Sequence, residues 1–192
     1  MQPFLEAEFQ LDSVETGGLL MLDGVTYALG TPFWGWVLDA GYLSRLQSLL
    51  IGSLCITVGH SLLGLAPVAS NVSMVGIGMT INGLGVASIY LTTYMLMLSS
   101  SKKSGFVQDS EQTQGMLTSL WFCFQELGMY LGTASGGWAY DVMGFRNSTF
   151  VIIGTQAFSI LLLAVMWLVE HKKREQNPRE KGYCQVPNTE IP

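Results

Sequence analysis

The chain has 192 residues, 49% of them hydrophobic and only 12% charged, with a net charge of −5. A soluble domain carries about 25% charged residues, so the composition excludes an ordinary water-soluble domain, and no basic stretch with interleaved aromatics offers a nucleic-acid surface. The three cysteines, Cys55, Cys123 and Cys184, form no CxxC pair and have no histidine at ligand spacing, which argues against a disulfide framework or a metal site.

Residues 1–17 carry four acids and no Lys or Arg, so they lack the basic start of a signal peptide. They read as a non-cytosolic segment, the tail end of a helix whose beginning lies upstream. Five apolar runs follow, each near the roughly 20 residues that cross a bilayer: 18–38, 46–66, 74–98, 115–138 and 149–169. In hydrocarbon the backbone must satisfy its own hydrogen bonds, and the runs lack the alternation of barrel strands, so all five are predicted helices. The fold class is therefore all-α integral membrane, with a helical bundle over 18–170. The first and fourth runs are the least apolar, holding Asp23 and Glu126. Asp23 lies toward the non-cytosolic end of its run, where it can reach the interface.

Polar residues inside the runs mark candidate sites. His60 in the second run fits either an interior hydrogen-bonded residue or a group that titrates near neutral pH. In the third run Asn82 and Thr93 share a face with Val86 and Ile89, among glycines 76, 78, 83 and 85. In the fourth, Gly128, Gly132 and Gly136 recur every four residues, a smooth ridge on which another backbone can approach closely. Glu126 lies about 200° around the helix from Gly128, at about 100° per residue, and shares its face with Tyr130. An acid at membrane depth costs at least ~2.5 kcal/mol and needs a partner or a water-filled cavity. It is either a cation or proton site or a structural acid satisfied by a neighbouring helix. Trp34, Trp36, Trp138 and Trp167 fall near run ends, as interfacial aromatics do. No nucleophile elbow, P-loop or HExxH motif occurs and only two histidines are present, so the chain does not read as an enzyme and asks for no cofactor.

Eight of the nine Lys and Arg residues lie on one side of this arrangement: Arg45, Lys102, Lys103, Lys172, Lys173, Arg174, Arg179 and Lys181. Arg146 alone lies on the other. Excess basic charge marks the cytosolic side, which places the C-terminus, a mixed polar tail over 171–192 of disordered composition, in the cytosol. The sequons at Asn71 and Asn147 then fall on the opposite side, too near the membrane ends to favour glycosylation.

Between the first two runs stands GWVLDAGYLSR, residues 35–45, with Gly35 and Asp39 four apart and Arg45 six further on. Together with GGWAYDVMGFR at 136–146 it resembles the major facilitator superfamily, whose paired helices are joined by a cytosolic loop with a Gly, an Asp four residues later, then a glycine and basic residues. The match is degenerate, because Gly41 comes one place early and Arg45 late. An ordinary short turn with interfacial charges is the competing reading of this loop. In the family reading, Asp39 and Arg45 pair with each other or with a helix terminus and gate the cytosolic side.

The order of spans resembles the C-terminal half of a twelve-helix transporter of that family, from the end of helix 7 to helix 12. GIGMTINGLGVASIYLTTY at 76–94 and the text of the fourth run look like its vesicular amine transporter branch, in particular the polyamine-transporter-like member. The resemblance implies proton-driven antiport of organic cations by alternating access, in an intracellular vesicle membrane. Glu126 would bind the cation or proton, with Tyr130, Asn82 and His60 lining the cavity. The partners implied are the lipid bilayer, a small organic cation, a proton, and either a missing N-terminal half or a second copy. The alternative is a half-length membrane protein without transport activity, acting as a regulatory or assembly partner.

Overall fold

A computed structural model of the chain describes residues 10–64, 72–103 and 111–176. Among them are four helices and no strand: α1 (Ser13–Asp39), α2 (Arg45–Gly64), α3 (Val72–Lys103) and α4 (Glu111–Gln176). Gly144 interrupts α4 with φ 75° and ψ 170°, leaving helical limbs over 111–143 and 145–176. Each of the five expected spans thus falls on its own helical segment, apart from residues 65–66, which lie outside the described residues. Three stretches, Arg45–Leu63, Val72–Ser101 and Asn147–Val169, are long and apolar enough to cross a membrane on composition alone. The two left out are the runs that carry Asp23 and Glu126.

The helix ends correct the expected boundaries. The segment expected over 1–17 is already helical from Ser13. Asp12 caps that start, accepting from the Ser13 amide at 2.8 Å while its own amide donates to Glu15 at 3.2 Å. Two of the segment's acids therefore form a capping box, which satisfies orphan donors and complements the helix dipole. At the other end the helix persists through Gln176, six residues into the expected tail; 177–192, like 1–9, lie outside the described residues.

The conformation of Gly144 is essentially restricted to glycine. Gly144→Ala is expected to destabilise the fold by about 1–3 kcal/mol, seen as a lower unfolding temperature in detergent. An unchanged temperature would show that the limbs do not need this break.

α3 is the hub, since α1 and α2 both pack along it while α4 lies against α2 and α3. Close approach is achieved by removing side chains rather than by interlocking large ones. A Cβ on Gly59 would stand 2.8 Å from the Gly78 carbonyl oxygen, and one on Gly85 would stand 2.7 Å from that of Gly52. The two pairs repeat every seven residues on both helices and run in opposite directions, as an antiparallel seam requires. On the other side of α3, Gly83 lies against the backbone of Asp23 and Tyr27, and Gly30 against Leu84 and Ala87.

Polar bonds fasten the same seams. The Ser48 hydroxyl lies 2.9 Å from that of Ser88 and 3.1 Å from that of Thr92, all three fully buried. Trp34 Nε1 donates to the Leu84 carbonyl at 3.0 Å. Hydrocarbon offers such groups no water, so bonds between helices supply part of the association. Trp34 is therefore buried between helices, packed with Val37 and Ala87, whereas Trp36 and Trp138 stand exposed.

Candidate cation site between α1, α3 and α4

One face of α1 carries Asp23, Tyr27, Gly30, Trp34 and Val37 at helical spacing, and this stripe meets α3. At its centre Asn82 Nδ2 donates to Asp23 Oδ1 at 2.9 Å. Asp23 is half-buried, and the close contact at Gly83 holds its backbone against α3. The Oδ1 atom of Asn82 is buried and accepts no hydrogen bond among the described residues.

An aromatic chain leads from this pair to α4. Tyr27 meets Tyr90 edge to face, with ring centres 5.8 Å apart, and Tyr90 meets Trp121 in the same way at 5.9 Å. Trp121 also packs on Tyr94 at 5.7 Å and donates to the Thr93 hydroxyl at 3.4 Å. The Tyr94 and Thr118 hydroxyls bond at 3.1 Å. Thr118, Trp121 and Gln125 thus form the stripe by which α4 grips α3. Tyr90 is within electrostatic reach of Tyr27 and Glu126 and within hydrogen-bonding reach of Gln125. Oε1 of Gln125, like Oδ1 of Asn82, is a buried acceptor without a donor among the described residues. Two polar groups thus lie along the α1–α3–α4 seam: Asp23 with Asn82, and, reached through Tyr27 one turn on, Tyr90 with Gln125 and Glu126. Such a set favours a ligand that brings donors and positive charge.

The residues singled out from the sequence divide clearly. Asn82 lies in the cluster, bonded to Asp23. Glu126 lies at its edge, next to Gln125, and is exposed. Tyr130, one turn on, is 72% exposed and points away from the rest of the chain. The His60 ring bonds at Nδ1 to the Ile56 carbonyl of its own helix, 3.0 Å away, so it is not brought to Glu126. Gly128, Gly132 and Gly136 continue the stripe of Trp121 and Gln125, yet no atom lies within 4 Å of a Cβ placed on any of them. The ridge meets no neighbour among the described residues.

The loop at 39–45 is built as a helix cap. Gly41 adopts φ 72°, its amide donates to the Leu38 carbonyl at 3.1 Å, and the Tyr42 amide donates to that of Val37 at 3.3 Å. This left-handed closure explains why the glycine stands one place early. Ser44 and Gln47 then cap α2 reciprocally, at 2.9 and 3.3 Å. Gly35 packs on Leu91, whose Cδ2 would lie 3.8 Å from an added Cβ. Asp39 and Arg45 are both exposed and form no ion pair with each other, so of the two expected arrangements the mutual pair is not seen. Each sits at the helix end whose dipole opposes its charge.

Sequence reasoning missed Asp23 as a site residue, and with it Tyr27, Tyr90, Trp121 and Gln125. One signal was available. Asp23 falls on the same helical stripe as Gly30 and Trp34, which marks it as a residue that faces another helix.

The chain is similar to a set of mammalian transporters. It is 23% identical over 177 residues to the human MFS-type transporter SLC18B1, covering 91% of this chain and 39% of that protein. It is 26% identical over 146 residues to the mouse and rat forms, covering 74% of this chain and 32% of each. The chain thus spans about two fifths or less of the length of these curated relatives. No solved structure matches. The relatives agree with the resemblance drawn from residues 74–146. A profile of the Major Facilitator Superfamily matches residues 1–188, nearly the whole sequence, and the chain belongs to that family of multi-pass membrane transporters.

Proposed function

We propose that the protein carries the C-terminal half of a proton-coupled antiporter of organic cations, such as amines or polyamines, working by alternating access. The observation that carries this reading is the sign of the unmet hydrogen-bonding need in the cluster. Both orphan groups, Asn82 Oδ1 and Gln125 Oε1, are acceptors; the first stands with Asp23, and the second, with Glu126, is close to Tyr90, which meets the Trp121 ring. A protonated amine supplies N–H donors and a positive charge together; an anion supplies neither. Glu126 takes the cation or the proton, since either neutralises it, and that competition exchanges one for the other.

The open side of the first α4 limb supports a partner. Glu126 and Tyr130 stand exposed on one face, where the other half of about six helices, or a second copy, would complete a cavity near the midplane; the glycine ridge, on the opposite face, meets no neighbour among the described residues. In this arrangement the C-terminus lies in the cytosol and the membrane is that of an intracellular vesicle. The same open ridge is what a non-transporting assembly partner would present, and uptake separates the two. Acid-filled vesicles holding the protein with its complementary half should accumulate a labelled amine and lose it when the proton gradient is collapsed. Absence of gradient-dependent uptake would favour the assembly role.

Trp121→Leu tests the aromatic wall. A cation–ring contact is worth about 0.5–2 kcal/mol, so the half-saturating amine concentration should rise roughly 2–30-fold while Trp121→Phe keeps much of the affinity. Equal values for wild type and Trp121→Leu would remove the rings from recognition.

A further inference from the structure

We infer that Asp23, rather than Glu126 alone, is a proton-carrying carboxyl of this protein, and that Asn82 reads its protonation state. The inference deepens the exchange reading above and rests on it for its role in transport, though not for the proton site itself.

The geometry is that of half a cyclic acid–amide pair. Asn82 already donates from Nδ2 to Asp23 Oδ1 at 2.9 Å. Its own Oδ1, the other end of the same amide, is buried and accepts nothing among the described residues. A carboxylate has only acceptors, so an ionised Asp23 cannot satisfy that oxygen. A proton on Asp23 Oδ2 converts the group into a donor, the one kind of partner that the Asn82 oxygen needs. The pair then makes two antiparallel hydrogen bonds and carries no charge into the apolar bundle. When the proton returns to water, the second bond is lost, and the pair becomes a carboxylate beside a free amide oxygen, the combination that holds an ammonium group. The Asp23 proton and a cation's N–H therefore compete for one oxygen.

Other groups do not remove this need. On the elements packed against the pair, the titratable residues are Tyr27, one turn on along α1; Tyr90, two turns on along α3, with Glu126 of α4 in its electrostatic reach; and His60 on α2, whose Nδ1 is taken by the Ile56 carbonyl and which is next to the Gly59 that abuts Asn82. No Lys or Arg forms an ion pair with Asp23 among the described residues. The Thr26 hydroxyl, one turn away, bonds to the backbone carbonyls of Leu22 and Asp23 rather than to the carboxyl. The backbone positions are fixed as well, since Gly83 and Gly59 press α1 and α2 against α3 on either side of Asn82.

Infrared difference spectroscopy of the purified protein through a pH titration tests this without transport. We expect the carbonyl band of a protonated carboxylic acid to disappear as pH rises. It should shift on isotope labelling of aspartate, be absent from Asp23→Asn, move in Asn82→Leu, and persist in Glu126→Gln. Because Asp12, Asp39, Asp109 and Asp141 carry the same label, the band assigned to Asp23 is the labelled one that also moves in Asn82→Leu, which keeps the test decisive even where Asp23→Asn fails to fold. A titrating band that ignores the aspartate label, or that is unmoved in Asn82→Leu, overturns the inference. Loss of transport in Glu126→Gln with the aspartate band intact leaves it standing.

Discussion

Glu126→Gln is expected to lower gradient-driven amine uptake by roughly 30-fold or more. Removing one member of a desolvated charge pair costs about 2–5 kcal/mol, and about 1.4 kcal/mol is a factor of ten. The substitution keeps size and hydrogen-bonding capacity and removes only the charge. Because Glu126 is exposed within this chain, the loss belongs to binding and exchange rather than to folding, and the variant should reach the membrane at wild-type levels. Glu126→Asp, which keeps the charge on a shorter stem, should retain part of the activity. Uptake unchanged in Glu126→Gln would take this carboxyl out of the mechanism.

The second large effect separates two sets of glycines that look alike as text. Gly59→Ala and Gly85→Ala each place a methyl group under 3 Å from a backbone oxygen on the facing helix. Neither carbonyl can yield without parting α2 from α3. Overpacking of this kind costs about 1–3 kcal/mol, and the double variant should lose the cooperative unfolding of the bundle in detergent. Gly132→Ala meets nothing within 4 Å and gains up to about 1 kcal/mol of helix propensity, so the chain alone should be unharmed. If the ridge seats the complementary half, Gly132→Ala weakens assembly and leaves the unfolding temperature intact. A Gly132 variant that unfolds earlier, or a Gly59/Gly85 pair that does not, would reverse this assignment of seams.

Much of this organisation was legible in the residues, and the failures have physical causes. Span positions follow from apolar length, which hydrocarbon thickness enforces, so five runs became five helical segments. The α1–α2 loop was visible as a turn, but its glycine could be placed only once the cap bonds to Leu38 and Val37 were known. The ridge at 128–136 was read as a helix-packing face, and among the described residues nothing packs on it. What lies opposite depends on helices that a span-by-span reading does not arrange, and the packing glycines proved to be those of α2 and α3. Asn82 was found because an amide in an apolar run is conspicuous. Asp23 was set aside because its depth was judged from the end of a run, whereas α1 begins at Ser13 and carries the acid inward to meet Asn82. Trp34 was likewise read from its position along a helix, which says less than the stripe on which a residue lies.

The account stands or falls on competition between protons and an organic cation for the carboxyl groups between α1, α3 and α4. Proton release on amine binding, followed with a pH dye in weakly buffered detergent solution at a pH where the site is protonated, measures it directly. The wild-type protein should release protons as the amine saturates, with release reduced in Asp23→Asn and in Glu126→Gln. Saturable amine binding with no proton release at any pH, and unaltered by either substitution, would contradict the account.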